Sequence, residues 1–287
     1  MAKQLNDRPK DGVAVVTGAS RGIGAAIAER LGSAGWTVVA AARTVTGGTG
    51  NGTAEETVER IRERGGVARA FHVDMEIAET RENLIADVIR EYGRVDVLIN
   101  NAGTADYQAT DAMPLEVARS QTETYFLGTW HLCHLVIPHM KLQGEGRILN
   151  IGSSVIKSPT LPYADYVAAR GFEALYGGLK TAVHRFSEGL AAELHADNIA
   201  VNVLGPAGAV LTPGLLALDL GITPDMAISE PVEEIAEAAL DMVSRPTSYT
   251  GQVEFSFRFL DRIGRSTMSL DGKQCLRERT PKGGANV

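Results

Sequence analysis

The chain has 287 residues, of which 44% are hydrophobic and 22% charged, the profile of a folded globular protein and not of a disordered or fibrous one. Its formal charge of −7 argues against nucleic acid or an anionic membrane as the main partner, because both need a basic face that exchanges with counterions. Two cysteines, Cys133 and Cys275, are too few for a disulfide framework and lack the paired spacing of a zinc site, so a reducing compartment is expected. The N-terminal MAKQLNDRPKDG is polar and no apolar run reaches spanning length, which places the expected location in the cytoplasm.

Short Val- and Ile-rich runs recur along the chain: GVAVVTG, WTVVAAA, VARAFHV, VDVLINNAG, GRILNIGSS and IAVNVLGP. Each is too short for a buried helix and ends in a polar or glycine-containing turn, which predicts strands. Helices are predicted between them over 22–34, 54–64, 80–92, 115–142, 176–196 and 231–244, with a last strand over 250–257. This alternation predicts a single α/β domain over 12–257 built on a doubly wound parallel sheet, the Rossmann fold. A polar tail, 1–11, precedes it. The extension 258–287 is rich in charge and poor in apolar period, so its second half is expected to be mobile.

The first strand-to-helix junction, VAVVTGASRGIGAAIAERL, carries Gly18, Gly22 and Gly24. Glycines there let the backbone turn tightly and approach a pyrophosphate, while free N–H groups at the helix start supply a positive field for it. With Ser20, Arg21 and Ile23 they form a candidate nucleotide cradle. The spacing is TGxxxGxG and not G-x-G-x-x-G, and at this point the chain resembles the short-chain dehydrogenase/reductase family, from Gly12 to about Phe255. NNAG, Asn100 to Gly103, ends a strand as in that family. The resemblance implies that Asn101 braces the sheet beside the cofactor, that Asp74 in HVDM meets the adenine, and that Val210 and Thr212 hold the nicotinamide carboxamide. Pro206-Ala207 departs from the family's Pro-Gly.

The end of the second strand selects the cofactor. A carboxylate there binds the ribose 2′-hydroxyl of NAD and repels a 2′-phosphate. This chain has Ala42 followed by Arg43, and a guanidinium binds phosphate through parallel charge-assisted bonds. With Arg21 nearby, NADP(H) is the expected cofactor.

Carbonyl reduction by hydride leaves an alkoxide that needs a proton donor and a second donor to hold it. A tyrosine serves if positive charge favours its phenolate, and a lysine four residues on shares its helical face. Two pairs compete, Tyr166–Arg170 and Tyr176–Lys180. Lysine is a compact ammonium that also reaches ribose hydroxyls, arginine is bulky and planar, and only Tyr176 opens a long helical pattern. Tyr176 and Lys180 are therefore the expected catalytic pair. By the family pattern Ser153, with Ser154 its neighbour, holds the substrate oxygen. Ser153 and Tyr176 lie 23 residues apart, which implies an insertion around 156–174. Its Pro159, Pro162, Tyr163, Tyr166 and Phe172 either wall the substrate pocket or form an ordinary surface loop.

Tyr125 stands where the family places an asparagine that holds a water beside the lysine, and either adds a hydroxyl to the relay or fills the water site. His131, Cys133, His134 and His139 scatter around their helix, so no metal is expected; the family packs this helix against a partner subunit, implying a homodimer or homotetramer. The expected activity is an NADP(H)-dependent oxidoreductase that moves a hydride between the nicotinamide and a carbonyl or secondary alcohol. The apolar segment 210–228 suggests a hydrophobic small-molecule substrate. The alternative is a non-catalytic NADP(H)-binding sensor or scaffold.

Overall fold

The computed structural model describes residues 12–280 apart from 48–51, 104–105, 164–173, 217–222, 224 and 227. The apolar runs form β1 (Val13–Thr17), β2 (Thr37–Ala42), β3 (Val67–His72), β4 (Val97–Asn100), β5 (Gly146–Ile151) and β6 (Ile199–Gly205). Two short strands, β7 (Ala209–Val210) and β8 (Ser229–Glu230), pair with each other, and β9 (Val253–Phe255) returns to the main sheet. Among the described residues seven strands make one parallel sheet in the order β3-β2-β1-β4-β5-β6-β9. The order reverses between β1 and β4, so their carboxyl ends open a crevice.

Both faces of the sheet are covered, which is why its strands read as nearly continuous apolar runs. Side chains alternate across β1. Ala14 and Val16 pack in one layer with Ile27, Leu31 and Trp36, while Val13 and Val15 face Leu84, Val88, Leu132 and Leu190 in the other. The first layer is built by α1 (Gly22–Ser33); α2 (Ala54–Glu63) and α3 (Ala78–Tyr92) follow in the chain. Thr53 and Glu56 close a reciprocal capping box at the start of α2, the local reason that it begins there.

The single helix expected over 115–142 is two helices, α4 (Leu115–Thr122) and α5 (Gly128–Gln143), joined by a π turn at Glu123–Leu127. A π turn inserts one residue into the helical ladder and recurs at functional sites; here it carries the buried Tyr125. Beyond it lie α6 (Leu175–Leu194), α7 (Val232–Val243) and α8 (Ser256–Ile263). The strand expected over 250–257 is thus shorter, since Ser256 and Phe257 already belong to α8.

As far as residue 280 the extension carries defined secondary structure. β10 (Thr267–Met268) and β11 (Cys275–Arg277) form an antiparallel pair, and the charges that read as solvated are paired with buried carboxylates on α7. Arg265 bonds Glu237 at 2.6 Å and Asp241 at 2.9 Å, and Arg30 of α1 bonds Glu237 at 2.7 Å. Arg279, its side chain only 4% exposed, bonds Glu234 at 2.7 Å, and Glu234 also accepts from Thr267 at 2.8 Å. Breaking one half of a buried pair leaves an uncompensated charge. Because Arg277 still reaches Glu234 at 3.3 Å, Arg279→Ala is expected to cost about 3 kcal/mol, the low end for such a loss. Arg90→Ala removes only an exposed pair with Asp87 and is expected to cost less than about 0.5 kcal/mol. Urea unfolding of both variants checks this, and equal small losses would show that the extension is not anchored.

Candidate active site

The crevice between β1 and β4 widens into a cleft of about 1470 Å³. Its lining includes Gly18, Ser20, Arg21, Gly22, Ile23 and Gly24 from the first junction, Arg43 and Asp74 beyond β2 and β3, Asn101 after β4, Tyr176 and Lys180 of α6, and Val210 and Thr212 of the β7 segment. The structure therefore brings the sequence-predicted nucleotide residues onto one continuous surface.

Gly18 has φ +68, the left-handed region that favours glycine. A Cβ on Gly24 would lie 2.3 Å from the Gly18 carbonyl oxygen and 2.4 Å from Asn101 Nδ2, so only glycine fits. Asn101 Nδ2 donates to the Thr17 carbonyl at 2.9 Å, and the Asn101 and Ala102 N–H groups donate to Thr17 Oγ1 at 3.0 and 3.1 Å. This ties β4 to β1 directly beneath the cradle. The first turn of α1 has neither a side-chain cap nor an acidic residue. Its N–H groups and the local helix dipole fit an anion such as a pyrophosphate.

At the far end Ala42 is buried and Arg43 is exposed, with Nη1 3.9 Å from the Glu76 carboxylate. So weak a pair leaves the guanidinium able to bind a better anion. Asp74 Oδ1 accepts from the Glu76 N–H at 3.0 Å and caps the turn there. At the opposite end Thr212 closes over Gly22, its Cγ2 only 3.2 Å from where a Cβ would stand, and Thr212 Oγ1 accepts from Leu215 N at 3.1 Å. The Pro206-Ala207 departure is held by Glu230, whose Oε2 accepts from the Ala207 and Gly208 N–H groups at 3.0 and 2.9 Å. Burial holds the Glu230 carboxyl above its usual range.

The floor is built by α6. Tyr176, Lys180 and His184 follow at four-residue spacing, one face of the helix, and meet the end of β5. Lys180 Nζ donates to the Ile151 carbonyl at 2.7 Å, and His184 Nε2 accepts from the Ser153 N–H at 3.3 Å. The approach is close enough that a Cβ on Gly152 would lie 2.1 Å from His184 Nε2. Burial pulls the Lys180 ammonium down to about 8; burial, and then the Lys180 charge, pull His184 down to about 4. Burial pushes Tyr176 up, and hydrogen bonding with Ser153 and Tyr107 pulls it back. The Lys180 ammonium lies over rings, 4.8 Å from the Tyr125 centroid and 5.8 Å from that of Tyr176.

Tyr125 packs edge-on to Tyr176 at 5.3 Å between centroids and against Gly103, where a Cβ would lie 2.6 Å from its Cε1. A phenol ring therefore fills the space beside the lysine. Tyr166, Arg170 and Phe172 lie outside the described residues; Tyr163 is 58% exposed. On α5, His131 Nδ1 accepts from Arg81 Nε at 3.2 Å, and Trp130 stacks on His134 at 5.4 Å. Sequence reasoning missed His184, although its spacing from Lys180 repeats that of Lys180 from Tyr176. It also missed Tyr107, an aromatic residue shortly after NNAG.

The profile of the short chain dehydrogenase family matches residues 12–217. The short-chain reductase protein NovJ of Streptomyces niveus is 34% identical over 253 residues, covering 87% of this chain and 88% of that one. The chain belongs to the short-chain dehydrogenase family. Within that family the fold is shared with a hydroxysteroid dehydrogenase from Escherichia coli, at a TM-score of 0.73 and 30% identity over 89% of this chain and 99% of that one. L-sorbose reductase from Gluconobacter frateurii, solved with NADPH and L-sorbose, superposes with a TM-score of 0.73 at 27% identity, covering 87% of this short-chain dehydrogenase and 96% of its own chain.

The buried imidazole has a consequence for stability. With a folded pKa of about 4 against about 6.5 unfolded, His184 binds its proton more readily in the unfolded chain. Stability is therefore lost as pH falls from about 6.5 toward 4. His184→Gln keeps an acceptor for the Ser153 N–H and removes this titration. Thermal melts between pH 7 and 4.5 are expected to show the wild type losing its advantage over the variant on acidification; parallel curves would contradict the assignment.

Proposed function

We propose that this short-chain dehydrogenase is an NADP(H)-dependent oxidoreductase acting on a carbonyl or secondary alcohol, with Tyr176 as its acid and base. The observation that carries the reading is the hydrogen bond between Ser153 and Tyr176, where Tyr176 and the buried Lys180 line a cleft whose opposite wall includes Gly24, a position that only glycine fits. Binding a nucleotide does not require that trio. When bound, the nicotinamide supplies or accepts the hydride at its C4.

The chain's own residues do the rest. Ser153 donates to the substrate oxygen and Tyr176 delivers the proton that the developing alkoxide needs; in the reverse direction Tyr176 accepts it. Lys180 is placed to hold ribose hydroxyls, since its ammonium sits at the cleft surface with two donors beyond the one given to Ile151. Gly18 to Gly24 receive the pyrophosphate on backbone N–H groups, Arg21 and Arg43 receive the 2′-phosphate, and Asp74 borders the adenine. Val210 and Thr212 border the nicotinamide. The NADPH bound by the Gluconobacter reductase supports the cofactor assignment. Ile228, 56% exposed, adjoins Gly208 of the cleft wall, and Leu216 is 55% exposed, which favours a substrate with an apolar portion.

NADPH is expected to bind about tenfold or more tightly than NADH, the range of charge-assisted hydrogen bonds to one phosphate. Ala42→Asp with Arg43→Ala reverses the order by removing the clamp and adding a ribose acceptor. Fluorescence titration of both cofactors measures this, and equal wild-type affinities would overturn it.

Tyr176→Phe is expected to keep NADPH affinity within about twofold while turnover falls by about 10² to 10⁴, the worth of a positioned acid. Lys180→Ala is expected to weaken both. Steady-state rates on a panel of ketones, aldehydes and quinones provide the check. Tight NADPH binding with no turnover on any of them favours the sensor reading, and full activity in Tyr176→Phe would place the acid elsewhere.

A further inference from the structure

Tyr107 lies in the loop between β4 and α4, outside the expected trio, yet it meets the atom on which the reaction turns. Its ring stands edge-on to Tyr176, with centroids 5.1 Å apart and planes at 64°, and the two side chains are hydrogen-bonded. The loop is fastened by Gln121 of α4, 2% exposed, whose Nε2 donates to the Asp106 carbonyl; Gln108 Nε2 donates to Asp106 Oδ1 at 2.8 Å. Tyr107 is therefore presented to Tyr176 by a fixed backbone.

The Tyr107 and Tyr176 hydroxyls are hydrogen-bonded, and Ser153 bonds the same side chain. Once Tyr176 has given up its proton its oxygen can only accept, so Tyr107 is then the donor. Lys180 gives one proton to Ile151 and lies over the faces of Tyr125 and Tyr176. Among the described residues, the titratable groups facing Tyr176 are Lys180 from its own helix, Tyr125 from the π turn and Tyr107 from the loop, and no carboxylate shifts it.

We propose that Tyr107 is a further catalytic residue, whose hydroxyl donates to the Tyr176 oxygen and holds it as a phenolate once its proton has passed to the substrate. This rests on Tyr176 being the acid. A hydrogen bond to a charged group is worth more than one to a neutral group, so the contact strengthens as the charge develops. That is the differential stabilisation that catalysis requires.

The test needs no substrate, so its failure is distinct from a failure of the turnover assays. Tyrosinate absorbance is titrated for the full chain with NADP bound, in the wild type, Tyr176→Phe, Tyr107→Phe and the double variant. The wild type minus Tyr176→Phe gives the ionisation of Tyr176 with Tyr107 present; Tyr107→Phe minus the double variant gives it without. Loss of the donor is expected to raise the midpoint by about one pH unit or more. Coincident midpoints, a downward shift, or no Tyr176 ionisation in the wild type anywhere in its folded range would overturn the proposal. Tyr107→Phe keeps the ring, and Tyr107→Leu, which removes it, serves as the second variant. If the hydroxyl is the active part, both raise the midpoint alike; a rise confined to Tyr107→Leu overturns it.

Discussion

The bond from Lys180 Nζ to the Ile151 carbonyl, 2.7 Å long and buried, fastens α6 to the end of β5, and the arrangement of the site follows from it. An ammonium taken out of water is costly unless its donors are satisfied, so the helix cannot slide or rotate without stranding that charge. One turn further on, His184 receives the Ser153 N–H, which locks the segment carrying the serine. One turn back, the same helical face presents Tyr176 to Ser153. The close packing at Gly152 leaves no slack in this joint.

The cradle on the opposite wall is fixed by a different means. There the backbone lines the cleft, and side chains serve to keep it open: Asn101 and Thr17 cross-link β4 to β1, and Gly24 lets α1 begin against the Gly18 carbonyl. Two walls thus meet at the switch point of the sheet, one presenting backbone N–H groups and the other side-chain hydroxyls. The extension after β9 supports this from behind. Its arginines neutralise three carboxylates on α7, the helix that packs on α1 beneath the cradle.

Much of this was legible in the sequence because it is written in local patterns. Strands buried on both faces are continuous apolar runs, the glycine spacing marks a turn that only glycine fits, and a long helical period after Tyr176 separates it from Tyr166. What escaped depends on partners distant in the chain. The arginines of the extension read as solvated charge because Glu234, Glu237 and Asp241 look like an exposed acidic face until α7 is seen to be buried. The π turn leaves no compositional mark; one residue is inserted into an otherwise regular helix. Tyr107 sits in a loop with no period, and nothing local indicates that its hydroxyl reaches Tyr176. His184 was readable from spacing alone, but a lone histidine on a helix more often only packs.

The central claim is that this chain moves a hydride and does not merely hold its cofactor. NADPH deuterated at nicotinamide C4 tests it directly, with mass spectrometry of the product formed from any carbonyl compound that the purified protein consumes. The account predicts one deuterium on the former carbonyl carbon, in an amount that falls together with turnover in Tyr176→Phe. Product without deuterium from either C4 position, or saturable NADPH binding with no transfer to any carbonyl offered, would contradict it.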